Sequence, residues 1–254
     1  MGSSVLATGM LTYRDAKCKM NNWDSNWDHR QPESLVKPDT SVDKIEEKNS
    51  IAKRTIYLVR HGQYQLDQKQ DEDKKLTTLG RKQAECTGKR LANIGVRFSN
   101  FTASTMTRAK ETGEIIFEHL KDTPTHSIDG IEKLEFEKSD MLREGYPIQA
   151  VPFHRFKPDI YEFADGCRIE AAFRKFLSRA DYSQTEDSHE IIVCHANVIR
   201  YLICRVMQHP PEGWLRMSLA NGSITEIVLS PNGNVSVVGI GDKSHIPVEM
   251  VSYT

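Results

Sequence analysis

Three times between Arg54 and Asn197 a short, β-rich apolar run feeds directly into a cation or an imidazole. Thr55-Ile56-Tyr57-Leu58-Val59 leads to Arg60-His61-Gly62, Phe98–Ser104 leads to Thr105-Met106-Thr107-Arg108, and Glu190–Cys194 leads to His195-Ala196-Asn197. Helical patterns fill the spaces between these runs, and that alternation dictates an α/β fold: a three-layer α/β/α sandwich with a mostly parallel central sheet. In such sheets ligands sit beyond the carboxyl ends of the strands, which is where all three polar clusters fall.

The helical segments are readable one by one. Leu76-Thr77-Thr78 opens a helix that runs to about Asn93, with Gly95 placed to end it, and a second helix extends from Thr107 to about Leu120. Ile169, Ala172, Phe173, Phe176, Leu177 and Ala180 form an apolar face at helical spacing, and another helix follows His195 to about Met207. Gly222–Leu229 and Val235–Ile240 flank Pro231-Asn232-Gly233, a hairpin signal. Residues 121–166 hold four prolines and little periodicity, so they are expected to be a long connection that carries function. Residues 1–53 are polar and broken and are expected to be a mobile tail and linker. Residues 54–254 are expected to be the catalytic domain.

Charge excludes several classes of partner. Thirty-four Lys and Arg against 35 Asp and Glu leave a net charge of -1, so no global field recruits nucleic acid or an anionic membrane, and any anion site must be local. Five scattered cysteines without a CxxC pair argue against a disulfide framework or thiolate zinc. Near the start, Val5 to Leu11 is too short and too interrupted to span a bilayer.

The side chains at the strand ends suit phosphate. Arg60 offers a planar fork for phosphoryl oxygens, Gly62 lets the backbone approach a ligand, and Arg108 arrives at a helix N-terminus, itself favourable to anions. Trp23 and Trp27, in Trp23-Asp24-Ser25-Asn26-Trp27-Asp28, stand four apart in the polar tail, where a helix would put them on one face as a docking motif.

Leu58-Val59-Arg60-His61-Gly62, Ser104–Thr112, Leu142-Arg143-Glu144-Gly145 and Cys194-His195-Ala196-Asn197, in this order, resemble the histidine phosphatase, or phosphoglycerate mutase-like, superfamily. The tail motif, His154–Pro158 and Pro210–Arg216 are similar to a branch of it made of protein serine/threonine phosphatases usually tied to mitochondria. The resemblance implies a metal-independent phosphoprotein phosphatase without a cofactor. His61 would be the nucleophile, Glu144 the acid and base, and Arg60, Arg108 and a protonated His195 the phosphoryl grip. It also implies a homodimer that assembles further through Trp23, Asp24, Trp27 and Asp28.

Alternatives are a phosphotransferase or mutase on small metabolites, or a scaffold without catalysis. Where mutases of the family usually follow RHG with Glu-Ser, this chain has Gln63-Tyr64-Gln65-Leu66, which argues against mutase activity. Tyr146, Phe153, Phe156 and Tyr161 are candidates for an aromatic rim around a phosphoprotein segment. The compartment is expected to be cytoplasmic or mitochondrial.

Overall fold

The computed structural model describes residues 23–37, 41, 49–121, 133–153 and 159–253, leaving aside the side chains of 159–162. Six strands form one sheet: β1 (Arg54–Arg60), β2 (Asn100–Ser104), β3 (Phe136–Ser139), β4 (Ser188–Cys194), β5 (Ile224–Leu229) and β6 (Val235–Asp242), in the order β3-β2-β4-β1-β5-β6. The β3-β2, β2-β4 and β4-β1 pairs are parallel, and the β5–β6 hairpin adds two antiparallel pairings.

Alternation along the central strands builds the layers. Ile56, Leu58, Ile192 and Cys194 face α3 (Asp159–Phe176) and α4 (Ala196–Val206), meeting Ile169, Phe173, Val198 and Leu202 in one buried cluster. Tyr57, Val59, Ile191 and Val193 point the other way, onto Leu91 of α1 (Thr78–Ala92) and Ile116 and Leu120 of α2 (Thr107–Leu120). Both faces of the strands are therefore covered, which is why they read as continuous apolar runs. Thr77 caps α1 by accepting the Gly80 N–H at 3.0 Å.

Register places the site. Arg60 pairs with Cys194, so His61 and His195 leave adjacent parallel strands at the same level. Ala103 pairs with Val193, which brings Ser104 alongside.

Two elements depart from the sequence reading. The connection 121–166 contains β3 and the start of α3, which begins ten residues before Ile169. Residues 25–28 form a turn rather than a helix, so the two tail tryptophans do not share a face. Trp27 is 7% exposed and joins the core against Phe173, with its Nε1–H on the Gly233 carbonyl at 2.9 Å, whereas Trp23 is 40% exposed. Asp28 forms a buried ion pair with Arg179 at 2.7 Å, and Asp24 is clamped through its backbone by the Gln208 amide.

Candidate active site

His61 lies at the end of β1 and is 1% exposed. Its Nδ1 is 2.8 Å from the Gly62 carbonyl, which can only accept, so that nitrogen carries the proton and Nε2 keeps its lone pair. Asn221 Nδ2 holds the His61 carbonyl, and Thr112 Oγ1 accepts the Gly62 N–H. A side chain at Gly62 would collide with the backbone of Gly80. The glycine is thus needed for helix α1 to pass this close to the nucleophile's strand end.

Around Nε2 stand the other expected groups. The Arg108 Nε–H donates to it at 3.3 Å, the His195 ring centroid is 5.1 Å from that of His61, and Tyr64 stacks edge-on at 5.3 Å. Arg60, Arg108 and His195 are all buried. Arg60 Nη1 donates to the Leu219 carbonyl at 2.6 Å, which fixes the guanidinium. Its Nε and the Nδ1 of His195 are buried with no hydrogen-bond partner among the described residues. Donors kept unpaired at such cost are poised for an anion.

Glu144 completes the group from the loop after β3. Its carboxylate accepts the Asn197 N–H at 3.3 Å, at the start of α4. Arg60, His61 and Glu144 line a cavity of about 530 Å³ with Tyr64, Asn197 and Arg200.

Electrostatics follow from burial. Desolvation, and then the charges of Arg108 and Arg60, hold the His61 pKa well below the ordinary imidazole value, so the ring is neutral. His195 is driven down for the same reasons, with His61 adding to the effect, a direction opposite to the protonated state that the family resemblance implies around a phosphoryl group. Desolvation raises Glu144 against the pull of Arg108 and Arg60, the direction a proton donor requires. Desolvation also lowers Arg60, to about 10, which leaves it charged at neutral pH.

Ligand atoms of His61, Glu144 and His195 lie within 4.8 Å of one another, a spacing that also suits a metal ion. Two buried guanidiniums beside them repel a cation and favour an oxyanion. The charge of the cluster suits an anion.

The model for the histidine phosphatase superfamily (branch 1) matches residues 56–242, a span that contains all five of these groups. The chain belongs to the histidine phosphatase superfamily. A Xenopus laevis protein named serine/threonine-protein phosphatase PGAM5, mitochondrial, is 49% identical over 91% of this chain and 84% of its own length. The human protein of the same name is 45% identical over 91% and 80%. A phosphoglycerate mutase structure from Plasmodium falciparum superposes with a TM-score of 0.53 at 31% identity, covering 80% of this chain and 99% of that one. One from Bacillus anthracis reaches 0.56 at 20% identity and supports the fold alone.

Within this histidine phosphatase, several contributors escaped the sequence reading. Ser104 Oγ lies 2.9 Å from His195 Nε2, and Asp71 receives Arg108 at 3.5 Å while taking the Thr107 N–H at 3.0 Å. The α2 N-terminus, expected to help bind phosphate, is therefore occupied by a carboxylate of its own chain. Ser104 and Thr112 were inside a recognised motif but had no stated role, and Asp71 gave no signal. Of the aromatic rim, Tyr146 is buried against Trp214 and Phe153 is 69% exposed, while Phe156 and the side chain of Tyr161 lie outside what is described.

Proposed function

We propose that this chain is a protein serine/threonine phosphatase acting without metal through a phosphohistidine on His61. The observation that carries the reading is the convergence of five groups from distant segments: Arg60, His61 and Glu144 line one cavity, and His195 and Arg108 stand against His61. The names of the relatives support phosphoprotein substrates.

In the first half-reaction the lone pair on Nε2 of His61 attacks phosphorus and the bond to the serine or threonine oxygen breaks. Glu144 gives its proton to the departing alkoxide. The ring becomes a phosphorylated imidazolium whose Nδ1–H stays on the Gly62 carbonyl. Arg60, Arg108 and His195 Nδ1 hold the phosphoryl oxygens, where charge spreads in the transition state. In the second half-reaction Glu144 takes a proton from water as the water attacks phosphorus, the P–N bond breaks, and inorganic phosphate leaves.

The test is turnover of a phosphoserine or phosphothreonine peptide against 2- and 3-phosphoglycerate, with and without chelator. Preference for the peptide, unaffected by chelator, is expected. Preference for the phosphoglycerates would favour a mutase, and loss of activity with chelator would contradict the metal-free route.

We further propose that residues 54–254 form the catalytic domain and that it works as a homodimer, joined into larger assemblies by the segment carrying Trp23, Asp24, Trp27 and Asp28. The exposed indole of Trp23, beside a segment already docked by Trp27, supports this. A Trp23→Ala protein should elute smaller than its parent in size-exclusion chromatography with light scattering, and an unchanged size would contradict it. Mitochondrial residence is proposed from the relatives' names. Among the described residues no helix is long and apolar enough to cross a membrane.

A further inference from the structure

Glu144 sits in a stretch held from outside: Met106 Sδ accepts its N–H at 3.2 Å, and Asn197 Nδ2 donates to the Gly145 carbonyl at 3.0 Å. After the single 3-10 turn Asp140–Leu142, residues 143–150 are described without helix or strand, and the carboxylate's backbone anchors are the Asn197 N–H at 3.3 Å and the Gly145 N–H. A general acid must stay within a few tenths of an ångström of its target, so something outside the loop must fix it.

One turn of α3 supplies that support. Arg168 Nη1 donates to the carbonyls of Met141 at 3.0 Å and Arg143 at 2.6 Å, and its Nη2 donates to the Glu144 carbonyl at 3.2 Å. The same Nη2 is paired with Asp165 Oδ1 at 2.9 Å, and Asp165 Oδ2 accepts the Tyr146 N–H at 3.0 Å. The ion pair therefore grips main-chain atoms on both sides of Glu144. Two glycines let the surfaces meet: a Cβ at Gly145 would fall 2.6 Å from Arg168 Nη2, and one at Gly166 would fall 2.6 Å from the Pro147 carbonyl. The planar fork matters, because an ammonium cannot reach three carbonyls and a carboxylate at fixed angles.

We propose that Asp165 and Arg168 are positioning residues that hold Glu144 against the leaving-group oxygen, so that they set the rate for alkyl phosphates more than for aryl phosphates. This rests on Glu144 being the general acid. Arg168 also adds positive charge near His195. Arg168→Lys keeps that charge while losing the fork, and so separates the two effects.

The experiment compares kcat and KM for a phosphoserine peptide and for p-nitrophenyl phosphate, whose phenolate leaves without a proton. Wild type, Glu144→Gln, Arg168→Lys, Arg168→Met and Asp165→Asn are measured, each with a thermal unfolding midpoint. Arg168→Met is expected to lower the peptide-to-aryl ratio of kcat/KM by about tenfold or more, through kcat. Arg168→Lys should also fall, and Glu144→Gln combined with Arg168→Met should fall no further than Glu144→Gln alone. Equal losses on both substrates, or an unchanged ratio, would overturn the proposal while leaving the acid assignment standing if Glu144→Gln shifts the ratio. An unshifted ratio in Glu144→Gln would overturn both. Should Arg168→Met fail to fold, Asp165→Asn, which keeps shape and removes the charge that orients Arg168, carries the same comparison.

Discussion

The Nε–H of Arg108 points at Nε2 of His61 across 3.3 Å, so a guanidinium suited to a phosphoryl oxygen rests on the nitrogen proposed as the nucleophile. Neutral His61 accepts this bond because its other nitrogen is committed to the Gly62 carbonyl at 2.8 Å. On the proposed mechanism, an entering phosphoryl group would draw this donor from nitrogen to oxygen and free the lone pair.

Loss of that donor should be expensive. Arg108→Ala and Arg60→Ala are each expected to lower kcat/KM on an aryl phosphate by about 100-fold or more, and Arg108→Lys should recover little, since an ammonium lacks the fork. Steady-state kinetics on the three purified variants check this. Near-parental activity in Arg108→Ala would remove it from the phosphoryl grip.

The proton balance of the buried imidazoles gives a second expectation. Both His61 and His195 titrate below 6.5 in the folded protein, so the unfolded chain binds more protons as pH falls through that value. Their contribution to stability is intact above pH 6.5 and is lost progressively below it, toward their folded pKa values. An NMR titration of the His61 ring should give a midpoint well below 6.5. A midpoint at or above that value would contradict a neutral, desolvated nucleophile.

Much of this was legible in the chain, for identifiable reasons. β1 and β4 are buried on both faces, so their apolar runs stood out, and the residue after each had to fall at a strand end. β3 did not announce itself: Phe136–Ser139 is a four-residue edge strand whose Glu137 and Lys138 are exposed. The first turns of α3 carry Phe163 and Cys167 exposed, out of phase with the buried face that Ile169, Ala172 and Phe173 mark, so that face does not extend to the helix start. The clamp on Glu144 joins residues 24 apart through backbone carbonyls, which no side-chain pattern encodes. Likewise the Trp23–Trp27 spacing implied a shared helical face, but a turn sends one indole inward and leaves the other in water.

The docked tail segment should behave as part of the domain. Trp27→Ala removes the ring from Phe173 and the Gly233 carbonyl, and its cost is bounded by about 3–5 kcal/mol because the segment can release instead. Faster proteolysis between Trp23 and Lys37, with a lower urea midpoint, is the expected outcome. Cleavage at the parental rate would mean that the segment's contacts contribute nothing.

Chemical trapping tests the account most directly. Incubation with a ³²P-labelled phosphopeptide, rapid alkaline quench and peptide mapping should place acid-labile, base-stable label on the peptide containing His61, and His61→Ala should carry none. Label on another residue, or full turnover by His61→Ala, would contradict the phosphohistidine route.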